Sequence, residues 1–212
     1  MPKLMLKRIL QYIIGLLLMA LAVVLTKRSS LGLAPFSAAP SALNTITDIS
    51  LGTTTTILHF VCVCVILLTQ KKITIKAVLT FFVAFPFGKI IDLIMYFIPA
   101  IDGFGFRLII TLVGICCTGV GVALINGADL MLPAPDAMLR VISIVYNKKY
   151  PTVKIIGDSC WIIFSISIEL IFAHKLVSIG LGTVLAAFLV GRIIKLLNSA
   201  FPQITLVKEA VL

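Results

Sequence analysis

The chain has 212 residues, 60% of them hydrophobic and 12% charged, and its mean hydropathy is +1.19. A soluble domain needs a polar surface that this composition does not supply, and repeated apolar runs of roughly 18 or more residues read as membrane spans. The formal net charge is +10, but the basic residues sit at the ends of apolar runs, not in a stripe with interleaved exposed aromatics, which argues against a nucleic-acid footprint.

Lys3, Lys7 and Arg8 precede the first apolar run, Ile9 to Thr26. That run is longer than a signal-peptide core and is followed by Lys27-Arg28, so it reads as an uncleaved first span. The next stretch, KRSSLGLAPFSAAPSALNTITDIS, is too polar to cross a bilayer and too apolar for an ordinary loop. Pro35 suits the first turn of a short helix, which Pro40 to Ile49 continues. Span two runs from Thr53 to Thr69 and ends on Gln70, Lys71 and Lys72. Span three is Ala77 to Ile98, closed by Pro99.

Span four is Arg107 to Ile125, with Gly114, Gly119 and Gly121 allowing close helix approach. A second proline-broken segment follows, starting at Pro133 and Pro135 and ending in Lys148-Lys149. Span five is Thr152 to Ala173 and span six Thr183 to Phe201. With the N-terminus inside, Lys3, Lys7, Arg8, Lys71, Lys72, Lys76, Arg140, Lys148, Lys149, Lys154, Lys195 and Lys208 fall on the cytoplasmic side. Only Lys27, Arg28, Arg107 and Lys175 fall outside, so the positive-inside bias places both termini in the cytoplasm.

The two halves read alike: span, proline-broken segment, span, span. Leu31 and Leu130 precede the prolines at an offset of 99 (130 − 31), and His59 and Asp158 share it (158 − 59). The offset grows to 103 at the third span of each half, where FPFGKIID at 85–92 meets FLVGRIIK at 188–195 and Lys89 aligns with Arg192 (192 − 89). An odd number of spans per half makes the halves antiparallel. The expected fold is thus an all-α polytopic membrane protein of six transmembrane helices, one membrane domain over residues 1–212. It is built as two inverted three-helix repeats, about 9–98 and about 107–201, each with a proline-broken short helix after its first span.

The pattern L-P-x-x-D-x-[ML] near Leu130, the run VKIIGDS at Val153 to Ser159 and GTVLAAFLVGRIIKLL at Gly182 to Leu197 resemble the YczE/YyaS/YitT group of bacterial membrane proteins. The resemblance covers most of the chain and is most specific in the second half. It implies a six-span integral membrane fold in the bacterial cell membrane and a transport-like role, without a firm substrate. The first half departs from the pattern, with Pro35-Phe36-Ser37 where a proline, an aromatic and an acid are expected.

Charges inside spans point to a site, because a charge near the bilayer centre costs a few kcal/mol or more unless it is paired or faces a wet cavity. Lys89 and Arg192, one from each repeat, are expected to face the bundle interior and grip an anionic group. The alternative is internal neutralisation, of Lys89 by Asp92 or Asp158 and of Arg192 by Glu169 or Asp136. Lys89 and Asp92 are three apart and so share a helix face. The helix starts at Pro35-Phe36 and Pro133 to Asp136, including Pro135, are expected to converge and aim free N–H groups at one point. The alternative there is an amphipathic helix lying at the interface.

His59 and Asp158 sit at matching depths and suit proton coupling; a hydrogen-bonded core histidine and a structural ion pair are the alternatives. Asn126 and Asp129 flank Gly127 and either orient the second broken segment or serve turn chemistry. Glu169 and His174 are expected near the outer interface, and Trp161 in packing. Thr53 to Thr56 are expected to satisfy the helix start. The five cysteines, Cys62, Cys64, Cys116, Cys117 and Cys160, have no ligand spacing and read as small hydrophobes.

Enzyme motifs are missing: there is no G-x-S-x-G, H-E-x-x-H, Walker loop or G-x-G-x-x-G. No cofactor is expected. The function expected is alternating-access transport of a small anionic or zwitterionic metabolite, by a chain whose partners are the lipid bilayer and a small-molecule substrate, with a homodimer possible. A substrate-binding component that needs an energising partner, and a non-transporting scaffold or assembly factor, are the alternatives.

Overall fold

The structure is a computed structural model and describes residues 2–202; Lys208 and the rest of the tail lie outside the described residues. The described residues form α1 (Pro2–Ser29), α2 (Pro35–Ile46), α3 (Leu51–Gln70), α4 (Ile75–Phe97), α5 (Phe104–Ala128), α6 (Ala134–Val145), α7 (Tyr150–Ile168) and α8 (Leu181–Ala200), with no strand among them. A π-helical turn, Glu169–Ala173, prolongs α7. Six of these helices are long and apolar enough to cross a membrane: α1, α3, α4, α5, prolonged α7 and α8. Their outward faces carry large apolar side chains such as Phe82, Leu68, Ile155 and Phe188. An apolar surface this continuous suits lipid rather than water.

Local chemistry sets the helix ends. Ser50 and Thr74 cap α3 and α4 by accepting from Thr53 N–H and Ala77 N–H. Pro35 occupies the first turn of α2, where a missing N–H costs nothing. Thr54, Thr55 and Thr56 bond back to carbonyls one turn earlier, as expected for the start of α3. Pro86 lies inside α4 without ending it.

The element order repeats. Both ends of α2 and α6 are offset by 99 (134 − 35 and 145 − 46), as are the starts of α3 and α7 (150 − 51). The left-handed residues follow: Ser30 pairs with Asp129, and Lys71 with His174, all with φ between 51° and 53°. The structure also locates the insertion that lengthens the offset to 103. It lies in the second span of the second half, where α7 with its π turn covers 24 residues against 20 for α3.

Packing follows the same order. α1 runs along α5; α4 packs on α1 and α8 on α5; α2 packs on α7 and α6 on α3. Gly114 and Gly121 face α1 and Gly119 faces Ile193 of α8, the close approach their small size permits. The short helix α2 has Ala38, Ala39, Pro40, Ser41 and Ala42 all buried. It is an interior element, not a helix lying on the surface.

One seam breaks the pattern. α3 packs closely on α4, but no comparable contact joins α7 to α8. In the first half a Cβ on Gly52 would strike the Gly88 carbonyl, and one on Gly88 would strike Thr56 Oγ1. The seam is completed by Asp92, whose carboxylate accepts from Gly52 N–H and Ser50 Oγ, both at 2.7 Å. The second half offers Lys149, Pro151 and Lys195 where the first has Ser50, Gly52 and Asp92. Proline supplies no N–H and lysine no acceptor. Gly191, the counterpart of Gly88, has nothing within 4 Å of an added Cβ.

Gly88→Leu is therefore expected to cost about 3 kcal/mol or more of stability by forcing α3 from α4. Gly191→Leu is expected to change it by less than about 0.5 kcal/mol. Thermal unfolding of the two purified variants in one detergent checks this; equal losses would contradict the asymmetry.

Candidate functional site

The charged residues that come together are on α6 and α7. Lys154 Nζ lies 2.8 Å from Asp136 Oδ1 and 3.1 Å from Asp158 Oδ1. The three side chains keep 35%, 21% and 26% of their surface, so they are half-buried. Lys154 and Asp158 are one turn apart on α7, and Asp136 is in the first turn of α6, where the helix dipole favours a carboxylate. Gly157 lies against the Leu139 side chain, which lets α6 approach near enough for Asp136 to reach Lys154.

Two carboxylates share one ammonium, so the cluster is one negative charge in excess. At the same offset the first half carries Ser37, Thr55 and His59. The repeat thus has one charged and one neutral copy of the same three positions. In the neutral copy His59 is 6% exposed and its Nδ1 sits 2.8 Å from the Thr55 carbonyl.

Aromatic side chains join the two copies. Phe36, at the start of α2, meets His59 of α3 and Trp161 of α7 edge-on, each at 5.1 Å between ring centroids. His59 also lies 5.5 Å from the Phe87 ring. Cys62, Val63 and Ala134 form a buried cluster against which Phe36, Met138 and Trp161 pack. Phe36, at the start of α2, thus packs against the apolar cluster that contains Ala134, at the start of α6. A separate cavity of about 30 Å³ lies between Thr26, Ala34, Ser37, Thr118 and Ala186, room for about one water.

The match to known proteins covers this whole arrangement. A family model described as a family of unknown function, DUF6198, matches residues 6–199. The chain belongs to the DUF6198 family. No curated protein and no solved structure matches it.

In this DUF6198 chain several expected site residues stand elsewhere. Lys89 and Arg192 are exposed on the outer surface of the bundle and do not face its interior. The buried face of α4 is Ala84, Phe87, Gly88 and Ile91; Lys89 lies off it, with its ammonium over the Phe85 ring at 5.7 Å. Neither cation forms any of the ion pairs anticipated for it among the described residues. Asp92 forms no ion pair with Lys89 among the described residues and instead caps α3.

Asp129 is exposed and ends α5 in the left-handed conformation, its N–H on the Asn126 carbonyl. Asn126 and Asp129 thus serve the turn and stand apart from the charged cluster. Pro35 and Pro135 open the two short helices, and Pro135 is buried. Glu169 is not interfacial: it is fully buried, whereas His174 is exposed. Of the cysteines, Cys62 is buried and Cys64, Cys116 and Cys160 are exposed on outward faces.

Lys154 is the residue sequence reading passed over, having been counted only as an inside charge. Its signal was present: an acid four residues later within VKIIGDS. Lys154→Met is expected to leave two carboxylates facing each other and to cost about 1–3 kcal/mol, less than a fully buried pair because a third of the side chain is solvated. Asp158→Asn keeps the Asp136 partner and is expected to cost less than about 1 kcal/mol. Chemical unfolding of both variants checks the order; the reverse order would contradict the shared-ammonium geometry.

Proposed function

We propose that the chain is a multi-pass carrier of a small zwitterionic metabolite, working by alternating access with its site between the two halves. The observation that carries this reading is the half-buried Asp136–Lys154–Asp158 cluster. A solute bearing an ammonium and a carboxylate can exchange partners with it: the ammonium takes Asp158, and Lys154 takes the solute carboxylate. Each ion pair broken is replaced, so desolvation is offset inside the apolar surroundings. A purely anionic solute has only one cation to meet here and two carboxylates to repel it.

Phe36, His59 and Trp161 form the barrier that one half must move to let the solute pass. Alternating access in repeat carriers is largely such a rocking of one bundle against the other. The two short helices beginning at Pro35 and Ala134 suit this, since both start within the packed interior. On this proposal the chain lies in the bacterial cytoplasmic membrane with both termini inside, as its lysine and arginine asymmetry favours, and its kinship reaches to the YczE/YyaS/YitT group.

Proteoliposomes offered a panel of radiolabelled amino acids are expected to take up at least one of them. Asp158→Asn is expected to reduce that uptake by about tenfold or more, while Lys89→Met and Arg192→Met are expected to leave it within about twofold. No uptake of any of them, or equal losses in all three variants, would overturn the reading.

A further inference from the structure

A second polar cluster lies outside that site. Glu169, at the start of the π-helical turn, is fully buried. Its Oε1 accepts from Ser178 Oγ at 2.7 Å and from Ser178 N–H at 3.0 Å, and its Oε2 accepts from Val177 N–H at 3.0 Å. Ser178 Oγ lies 2.6 Å from Ser41 Oγ of α2. Ser41 Oγ in turn accepts from Lys27 Nζ of α1 at 2.8 Å. Lys27 also donates to the Ser41 carbonyl and to Thr45 Oγ1. Ser41 and Ser178 are fully buried, and Lys27 is half-buried.

Counting protons fixes the direction of each bond. The ionised carboxylate only accepts, so the single Ser178 hydroxyl proton goes to Glu169. Ser41 must then give its proton to Ser178, and the ammonium gives one to Ser41. The result is one unbroken donor chain from a half-buried amine to a fully buried acid, through two hydroxyls. It crosses between the halves of the molecule, α1 and α2 on one side and the end of α7 and its following loop on the other. Two backbone bonds seal the same junction, from Leu33 N–H to the Ser178 carbonyl and from Gly182 N–H to the Leu31 carbonyl.

A structural ion pair would put the ammonium on the carboxylate. Here Lys27 and Glu169 do not appear among the direct pairs of the described residues. Interposed hydroxyls do little for attraction, because they lengthen the distance between the charges. What they provide is a path. We propose that Lys27, Ser41, Ser178 and Glu169 form a proton-binding relay whose ligand is a proton delivered from water at Lys27 and held on Glu169.

The step balances without a co-reactant other than hydronium. An Nζ–H bond of Lys27 breaks as that proton joins the Ser41 oxygen, while the Ser41 proton passes to Ser178 and the Ser178 proton to Glu169 Oε1. Neutral Lys27 then takes a proton from hydronium. The net change is one proton from water on a carboxylate that water does not touch. Protonation removes the charge that the Val177 and Ser178 N–H groups and the hydroxyl hold, so it loosens the junction between the halves. The charged groups nearby are Lys27 and Arg28 of α1. Arg28 is engaged with the Met95 carbonyl at 2.6 Å. α2 carries no titratable side chain, and His174 and Lys175 in the loop are exposed.

The inference does not rest on the carrier reading, and its test needs no solute. Infrared spectra of the purified full chain, taken through a pH jump, follow the carboxylic acid C=O band that Glu169→Gln removes. That band is expected to rise after a downward pH jump. Ser178→Ala and Ser41→Ala are expected to slow its rise by about tenfold or more, and Ser178→Thr, which restores a hydroxyl, to recover the rate. If Ser178→Ala fails to fold, as gel filtration reads directly, Ser41→Ala and Ser178→Thr carry the comparison. No band assignable to Glu169 after the jump, or equal rates with and without the hydroxyls, would overturn the relay.

Discussion

The constraint behind the architecture is the absence of water as a partner. In an apolar surrounding every ionised group must find an opposite charge, a set of donors or a route to the headgroups. The chain uses the first two, and turns two further cations outward. Lys154 is placed between Asp136 and Asp158. Glu169 is held by two backbone N–H groups and a hydroxyl. Lys89 and Arg192 turn outward from the bundle, and the Lys89 ammonium lies over the Phe85 ring. These three solutions differ in what they permit. An outward cation is settled, whereas a shared ammonium and a hydroxyl chain both leave a group that can change partner.

The second theme is symmetry kept in the backbone and broken in the side chains. The ends of α2 and α6, the starts of α3 and α7, and the left-handed residues after four helices all recur at fixed offsets. The chemistry at those positions does not recur. Ser37, Thr55 and His59 are neutral where Asp136, Lys154 and Asp158 are charged. The Gly52–Gly88 seam is shut by Asp92, while its counterpart, with Pro151 and Lys195, stays apart. The first half is therefore a close-packed frame, and the second carries both the charged cluster and the open face. A carrier that rocks one unit against another has use for this division of roles.

Much of this organisation could be read from residues in order. The six spans are bounded by lysines, arginines and prolines to within a few residues, because hydropathy and charge act locally. The two short helices were legible at Pro35 and Pro133 for the same reason. The partners of charges were not legible. Lys89 and Asp92 are three apart and suggested a pair, but Gly88 sets which face of α4 meets α3, and that contact turns Lys89 away while bringing Asp92 to the start of α3. Glu169 looked interfacial by position. Its burial depends on Ser178 folding back and on Ser41 from a distant helix, contacts that no local pattern encodes.

The edge-on contact between Phe36 of α2 and Trp161 of α7 spans the two halves. Cysteines placed at these two positions, in a background without the five native cysteines, are to be joined with reducible bifunctional reagents of graded span. The joined protein in proteoliposomes is expected to lose solute uptake and to regain it when the link is reduced. Undiminished uptake with the link in place would contradict a passage between the halves.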